Sequence, residues 1–369
     1  MSAVPKSRRP ARAARRLVNL RDRLFDARQL VQSERTPYRL IHEDGIVRLR
    51  AYLPLPGVAV AHAVPVVLVA PLAVNMSIYD LFPERSLVAD LLARGFRVYL
   101  IDWGRPGPAQ DHWRLSTYIT EWLPALLARV RAHAGHPALS LHGWSFGGLF
   151  AYAYTAWSGD PEIRNLVLVG APCDYHDNGL LGQQYRRISR VVRRLGRLPA
   201  LRPHATAPRW WRAPGWFNSV LYKLTAPVAS LRPYLDLLAA LDDRDKVAAH
   251  ATNAAFLDDM VAYPGGVIQD VVQYLWTDNR LADGRLPMPG SDTRLSAITA
   301  SLLLVAGRGD PIVTPACAKA LLRLVASTDI RVLDVPGGHM AIVSGSQAPQ
   351  AIWPEVGAWL AARSDSRAG

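Results

Sequence analysis

The stretch Ala138-Leu-Ser-Leu-His-Gly-Trp-Ser-Phe-Gly-Gly-Leu-Phe150 constrains this chain more than any other. A short apolar run, a sharp turn and the small-residue start of a helix follow one another. Gly143-Trp144-Ser145-Phe146-Gly147 fits the G-x-S-x-G pattern of a nucleophile elbow. Such a turn strains the serine backbone and lifts its hydroxyl above the edge of a sheet. Gly143 and Gly147 lack the Cβ atoms that would collide where strand and helix approach closely. The helix that follows aims its free N–H groups and its dipole at the place where an oxyanion develops. An ordinary glycine-rich turn between strand and helix has the same local look, so the downstream chain has to separate the two.

Strand and helix patterns alternate on either side of the elbow. Residues 38–55 alternate polar and apolar side chains, which predicts antiparallel strands at a sheet edge. The β-branched run 66–70, the run 97–102, the elbow strand 139–142 and the run 165–170 read as buried strands. Residues 86–95 form a helix with a Ser86 cap and a Gly95 stop; 115–133 and 149–157 are also helical. This alternation predicts a mostly parallel sheet with helices on both faces. After Pro172 the pattern changes. Residues 173–295 hold Trp210, Trp211, Trp216, Phe217, Tyr222, Tyr234, Tyr274 and Trp276 and no clear buried strand, so they are expected to form an inserted, mainly helical cap. Strands return at 301–307 and 330–335, and a final helix is expected over 351–363. The expected organisation is a basic tail and helix over 1–33, a first core segment over 34–172, the cap over 173–295 and a second core segment over 296–369. Within the tail, 1–13 reads as disordered and 14–33 as helical.

With half of its 369 residues hydrophobic, the chain can bury a large core. Its two cysteines, Cys173 and Cys317, are too few for a disulfide framework and fit a reducing cytoplasmic setting. The net charge of +13 is concentrated in two places. One is Lys6, Arg8, Arg9, Arg12, Arg15 and Arg16; the other is Arg186, Arg187, Arg190, Arg193, Arg194 and Arg197. Such clusters suit phosphate-bearing ligands or an anionic surface. The basic start is not followed by an apolar leader segment, and the apolar run 64–74 is too short to span a bilayer. Leu17, Leu20, Leu24 and Leu30 recur at roughly helical spacing, as in an amphipathic helix that packs on its own domain or lies on a membrane or granule surface. No nucleic-acid motif, metal-ligand spacing or dinucleotide fingerprint is present, so no metal and no cofactor is expected.

An activated serine needs a base, and the base needs an orienting acid. Downstream of Ser145, Asp310 follows the strand 301–307 in Gly307-Arg-Gly-Asp-Pro-Ile-Val313. His339 follows the strand 330–335 in Pro336-Gly-Gly-His-Met-Ala-Ile-Val343. Both loops leave the C-terminal ends of expected parallel strands, where open α/β sheets place their sites. The candidate triad is therefore Ser145, His339 and Asp310. Asp174 is a rival acid. His142 is a rival base, but it lies on the strand before the elbow and points away from Ser145. The oxyanion donors are expected to be the N–H of Phe146 and an N–H from Ala73 or Val74. Asn75, Trp144 and Trp103 are the candidate substrate contacts.

These motifs carry a resemblance. Residues 71–88, the segment Gly95-Phe-Arg-Val-Tyr-Leu-Ile-Asp-Trp-Gly-Arg-Pro106 and the two loops holding Asp310 and His339 resemble polyhydroxyalkanoate (PHA) synthases, particularly the short-chain class with a partner subunit. The resemblance spans roughly residues 40–362 and implies an α/β-hydrolase fold. The family carries cysteine inside the elbow, G-x-C-x-G, where this chain has Ser145. A thiolate exchanges acyl groups with coenzyme A (CoA) thioesters and leaves a thioester that a hydroxyl attacks readily. A serine acyl-enzyme is an oxygen ester with a natural fate in hydrolysis. The resemblance thus implies an acyl hydrolase or acyltransferase acting on hydroxyacyl esters, polyesters or thioesters such as acyl-CoA, as a homo-oligomer or with a partner subunit. Polymerising PHA synthase activity and a granule- or membrane-associated binding role are the alternatives. Arg186, Arg190 and Arg193 are candidates to meet CoA phosphates.

Overall fold

Runs of valine, leucine and isoleucine with almost no solvent exposure build the centre of the molecule. The computed structural model describes residues 8–364 except 197, 200, 201 and 226, with side chains left aside at 8–11 and 225–232. Among the described residues ten strands form: β1 (Tyr38–Asp44), β2 (Val47–Tyr52), β3 (Val66–Val69), β4 (Asp80–Phe82), β5 (Arg85–Ser86), β6 (Val98–Asp102), β7 (Leu139–Trp144), β8 (Ile163–Val169), β9 (Ser301–Gly307) and β10 (Ile330–Val335). Eight make one sheet in the order β1-β2-β6-β3-β7-β8-β9-β10, and β4 and β5 pair separately as a small hairpin that the sequence pattern does not announce. β1, β2 and β6 pair antiparallel, and all other pairs in the large sheet are parallel. This is the mostly parallel sheet that the alternation implied, and it agrees with the α/β-hydrolase fold that the resemblance implied.

Every residue of β3, β6 and β7 is buried, because helices cover both faces of the parallel part. The helix Phe146–Ser158 leaves β7 directly and is almost entirely buried, as its run of small and aromatic residues requires. Ser86 caps the helix Leu87–Ala93 by accepting the Ala89 N–H at 3.0 Å. At the antiparallel edge, buried Arg50 donates to Glu34 at 2.6 Å and to Asp102 at 2.7 Å, tying β2 to β6 across the sheet.

Between β8 and β9 the regular elements among the described residues are helical: Gly179–Leu195, Gly215–Thr225, Pro227–Ala239, Arg244–Asp258, Gly265–Asp270 and the wider-wound Val271–Thr277, with short 3-10 turns. The N-terminal helix runs over Arg8–Phe25, which corrects the expected disorder at residues 8–13; residues 1–7 lie outside the described set. Alanines favour helix there, and Pro10 falls in the first turn, where its missing N–H costs little. Tertiary contacts hold the helix on the cap. Arg12 pairs with Asp242 at 2.6 Å, Arg16 donates to the Leu238 carbonyl at 2.8 Å, and Asn19 donates to the Leu241 carbonyl at 2.8 Å.

Candidate active site

The elbow forms as the glycines demand. Gly143 pairs with Val69 on one side and Leu168 on the other. A Cβ on Gly147 would stand 2.0 Å from the Val69 carbonyl oxygen, and one on Gly143 would stand 2.4 Å from the Gly147 backbone. Between them Ser145 adopts φ 55° and ψ −124°, a left-handed conformation rare for a side-chain-bearing residue. The Ser145 N–H donates to the Val169 carbonyl at 2.9 Å, which anchors the strained turn to β8.

Adjacent strands β9 and β10 bring the other two candidates together. His339 Nδ1 lies 2.6 Å from Asp310 Oδ2, and both residues are buried. The second carboxylate oxygen, Oδ1, accepts the backbone N–H groups of Ile312 at 2.8 Å and Val313 at 2.9 Å. The carboxylate is therefore held from both ends. The His339 carbonyl accepts the Trp144 indole N–H at 3.0 Å, and the two rings lie 5.2 Å apart, so the elbow strand carries the histidine loop as well as the serine. Gly170, at φ 52°, leaves room for the imidazole: a Cβ there would come within 3.3 Å of the ring. Sequence reasoning missed this glycine, since its importance depends on a loop 169 positions away.

Ser145 and His339 share the wall of one cavity of about 680 Å³. Among the described residues no hydrogen bond joins them. Leu72, Ala73, Val74 and Phe146 also line it, so the expected oxyanion donors stand around the serine. Phe146 begins the helix, where backbone N–H groups are free of intrahelical partners. Ala73 takes φ 68° and its carbonyl accepts the Val261 N–H at 2.9 Å, which pins this strained loop to the cap.

The cap supplies the apolar walls. Trp211, Trp216, Phe217, Tyr222 and Trp276 line the cavity, as do Tyr175, Tyr185 and Tyr263, which sequence reasoning did not single out. Trp210 is exposed, and Tyr274 packs instead against His204 and Arg280. A second cavity of about 630 Å³, which includes Tyr234, meets the first at Tyr222, Ile312 and His339.

Of the candidate substrate contacts, Trp144 lines the first cavity and the other two do not. Trp103 is buried beneath it, donates its indole N–H to the Ala70 carbonyl at 2.8 Å and packs on Tyr118 and Phe150. Asn75 caps a turn by accepting the Ser77 N–H at 3.1 Å and donates to the Asp259 carbonyl at 3.0 Å. Asp174 accepts from the backbone of His176 and Asp177 and from Asn279, a turn-organising role. His142 is buried in the sheet away from the cavity, and burial holds its imidazole down at about 4.

Arg186, Arg187, Arg190 and Arg193 line a surface groove with Gln183 and Ser189 of the same helix, Gly179–Leu195, and with His176 just before it. Leu181 and Tyr185 of the same helix face the Ser145 cavity. Arg197 lies outside the described residues.

Comparison with known proteins places this geometry in context. A family model described as "alpha/beta hydrolase fold" matches residues 71–346. A protein of Haloferax mediterranei named "Poly(3-hydroxyalkanoate) polymerase subunit PhaC" is 27% identical over 333 residues, which is 90% of this chain but only 65% of that protein's length. A protein of the same name from Allochromatium vinosum is 28% identical over 328 residues, covering 88% of each chain. Among solved structures, a soluble variant of the monoglyceride lipase of Saccharomyces cerevisiae superposes with a TM-score of 0.59 at 15% identity, covering 90% of this chain and 97% of that one. That likeness speaks for the fold alone.

Proposed function

The chain belongs to the alpha/beta hydrolase fold family, and we propose that Ser145, His339 and Asp310 make it a serine-nucleophile acyl hydrolase or acyltransferase for hydroxyacyl esters, polyesters or thioesters. It is a PHA-synthase-like enzyme by its relatives. The observation that carries the proposal is the strained Ser145 beside a buried His339–Asp310 pair in one apolar cavity.

The steps follow from these groups. Ser145 Oγ attacks the acyl carbonyl carbon, and its proton passes to His339 Nε2. Asp310 keeps the Nδ1 proton in place and stabilises the imidazolium. The carbonyl oxygen becomes an oxyanion facing the Phe146 N–H and the Ala73–Val74 loop. The C–S or C–O bond to the leaving group breaks as His339 returns the proton to the departing thiol or alcohol. The Ser145 ester is then attacked by water or by an acceptor hydroxyl, whose proton His339 takes, and Ser145 is released with its proton restored. Aromatic cap residues exclude water from the acyl group and set its size.

The polymerase names of the relatives favour a second reading, polymerisation of a hydroxyacyl-CoA, in which Arg186, Arg190 and Arg193 meet the CoA phosphates and a partner subunit or second copy completes the assembly. The test is product analysis with 3-hydroxybutyryl-CoA, using Ser145→Ala as control and following both CoA release and the acyl product. Free hydroxy acid marks hydrolysis, and polymer or oligomer marks synthesis. Turnover of neither acyl-CoA nor simple esters, or turnover that survives in Ser145→Ala, overturns the proposal. A cytoplasmic setting is part of it; no helix among the described residues is long and apolar enough to cross a membrane.

A further inference from the structure

The N-terminal helix Arg8–Phe25 is amphipathic in an unusual sense. Its polar side chains Arg12, Arg16 and Asn19 are engaged with the cap, and Leu20 joins the small apolar cluster of Leu30, Leu241 and Val247. The opposite stripe faces outward. Leu17 and Leu24, and likewise Val18 and Phe25, are seven residues apart and so share one side. They are exposed to 69%, 65%, 48% and 79%. Exposed Arg21 lies between the two pairs, exposed Arg15 lies beside Val18 one turn before it, and exposed Arg28 follows the helix. Arg15 and Arg28 have no ion pair among the described residues. The helix Pro227–Ala239, which takes the Arg16 contact, also exposes Leu235 and Leu238.

We propose that this outward face docks the enzyme on an anionic lipid surface. Four large apolar side chains clustered on one exposed stripe have no packing role in the fold, and such a patch marks an interaction site. The charge around it selects the occupant. The helix carries seven arginines against the single acid Asp22, which is itself bound by Arg21 and Arg244. Leucine and phenylalanine entering the acyl boundary, with arginines at headgroup level, is the arrangement of an interfacial helix that prefers anionic lipid. This inference concerns where the enzyme sits and stands apart from the reading of Ser145.

The experiment is vesicle co-sedimentation of the full chain. One set of vesicles is phosphatidylcholine alone; the other contains roughly 30 mol % phosphatidylglycerol. Wild type should bind the anionic set at least about tenfold more tightly and be released at about 0.5 M salt. Leu17→Glu with Phe25→Glu should abolish binding while leaving thermal stability and ester turnover unchanged, because neither side chain is packed. Arg15→Gln with Arg28→Gln should weaken binding by roughly twentyfold, at about fivefold per arginine. Equal binding to both vesicle types, or to uncharged polyester particles in preference to either, would overturn the proposal. So would absence of binding, or a concentration-dependent dimer that the Leu17→Glu, Phe25→Glu protein loses, since the face would then join copies of the chain.

Discussion

Replacing Asp310 by asparagine separates chemistry from structure in this site. Oδ1 is held by the N–H groups of Ile312 and Val313, so it must remain an oxygen. An asparagine will keep its carbonyl there and turn its NH₂ toward His339 Nδ1. That nitrogen then has to accept, which moves the imidazole proton to Nε2 and leaves no lone pair to receive the Ser145 proton. The same change of tautomer in a Ser-His-Asp enzyme lowers kcat by about 10⁴. At about 1.36 kcal/mol per decade, the barrier should rise by roughly 5 kcal/mol. The fold should be nearly indifferent, because both backbone donors keep their acceptor. Asp310→Ala is the contrast: it strips those donors as well, at about 1–3 kcal/mol each, and should lower the melting temperature visibly. The assay is p-nitrophenyl butyrate turnover alongside thermal unfolding of wild type, Asp310→Asn, Asp310→Ala and Asp174→Asn. Asp310→Asn within tenfold of wild type, with Asp174→Asn severely impaired, would refute the assignment and move the acid to the loop after β8.

Gly147→Ala places a Cβ 2.0 Å from the Val69 carbonyl oxygen, backbone that cannot step aside, so urea unfolding should show a loss of about 3 kcal/mol or an insoluble protein. Wild-type stability would refute the packing argument for the elbow. Cys173 and Cys317 are fully buried, and burial pushes the Cys317 thiol up to about 12 and raises the Cys173 thiol well above its usual range. A thiol-reactive dye at pH 7.5 should therefore titrate neither until the protein is unfolded. His142 is neutral in the fold down to about pH 4, while the unfolded chain protonates it near 6.5. Stability should fall as pH drops through that window, by up to about 3 kcal/mol, and His142→Leu should flatten the decline; an unchanged pH profile would remove this explanation.

How much of this was legible in the sequence depends on how local each signal is. β3, β6, β9 and the second half of β8 announce themselves because a strand buried on both faces is a largely apolar run, whereas β7 (Leu-Ser-Leu-His-Gly-Trp) is marked by the elbow that ends it. Ser145, Asp310 and His339 each sit in a short loop whose glycines and prolines mark a turn at a strand end. The cap is different. Trp210 and Trp211 are neighbours in one short 3-10 turn, yet one is exposed and the other lines the cavity. Nothing in their spacing says which way the turn will face, because that is fixed by where the turn lands on the sheet. Asn75 and Trp103 err in the opposite direction. Both lie beside catalytic-looking loops in the sequence, and both spend their polar groups on backbone, Asn75 on Ser77 and Asp259 and Trp103 on Ala70.

The division has a chemical consequence. The groups proposed to make and break bonds hang from the ends of β3, β7, β9 and β10, whose positions the parallel sheet fixes. The side chains proposed to choose an acyl group come from the segment between β8 and β9. Tyr185 stacks on Trp276 at 5.0 Å, and Tyr263 meets Phe146 at 6.2 Å, so residues far apart in the chain build the acyl wall. On the proposed mechanism, substitutions in the cap should therefore change which acyl group is accepted without disturbing His339 or Asp310, whereas the identity of residue 145 should decide what becomes of the acyl group once bound. In the proposed mechanism, an oxygen ester at Ser145, enclosed by an apolar wall but next to a base that would serve water and hydroxyl equally, makes the partition between hydrolysis and transfer a matter of which acceptor the cavity admits.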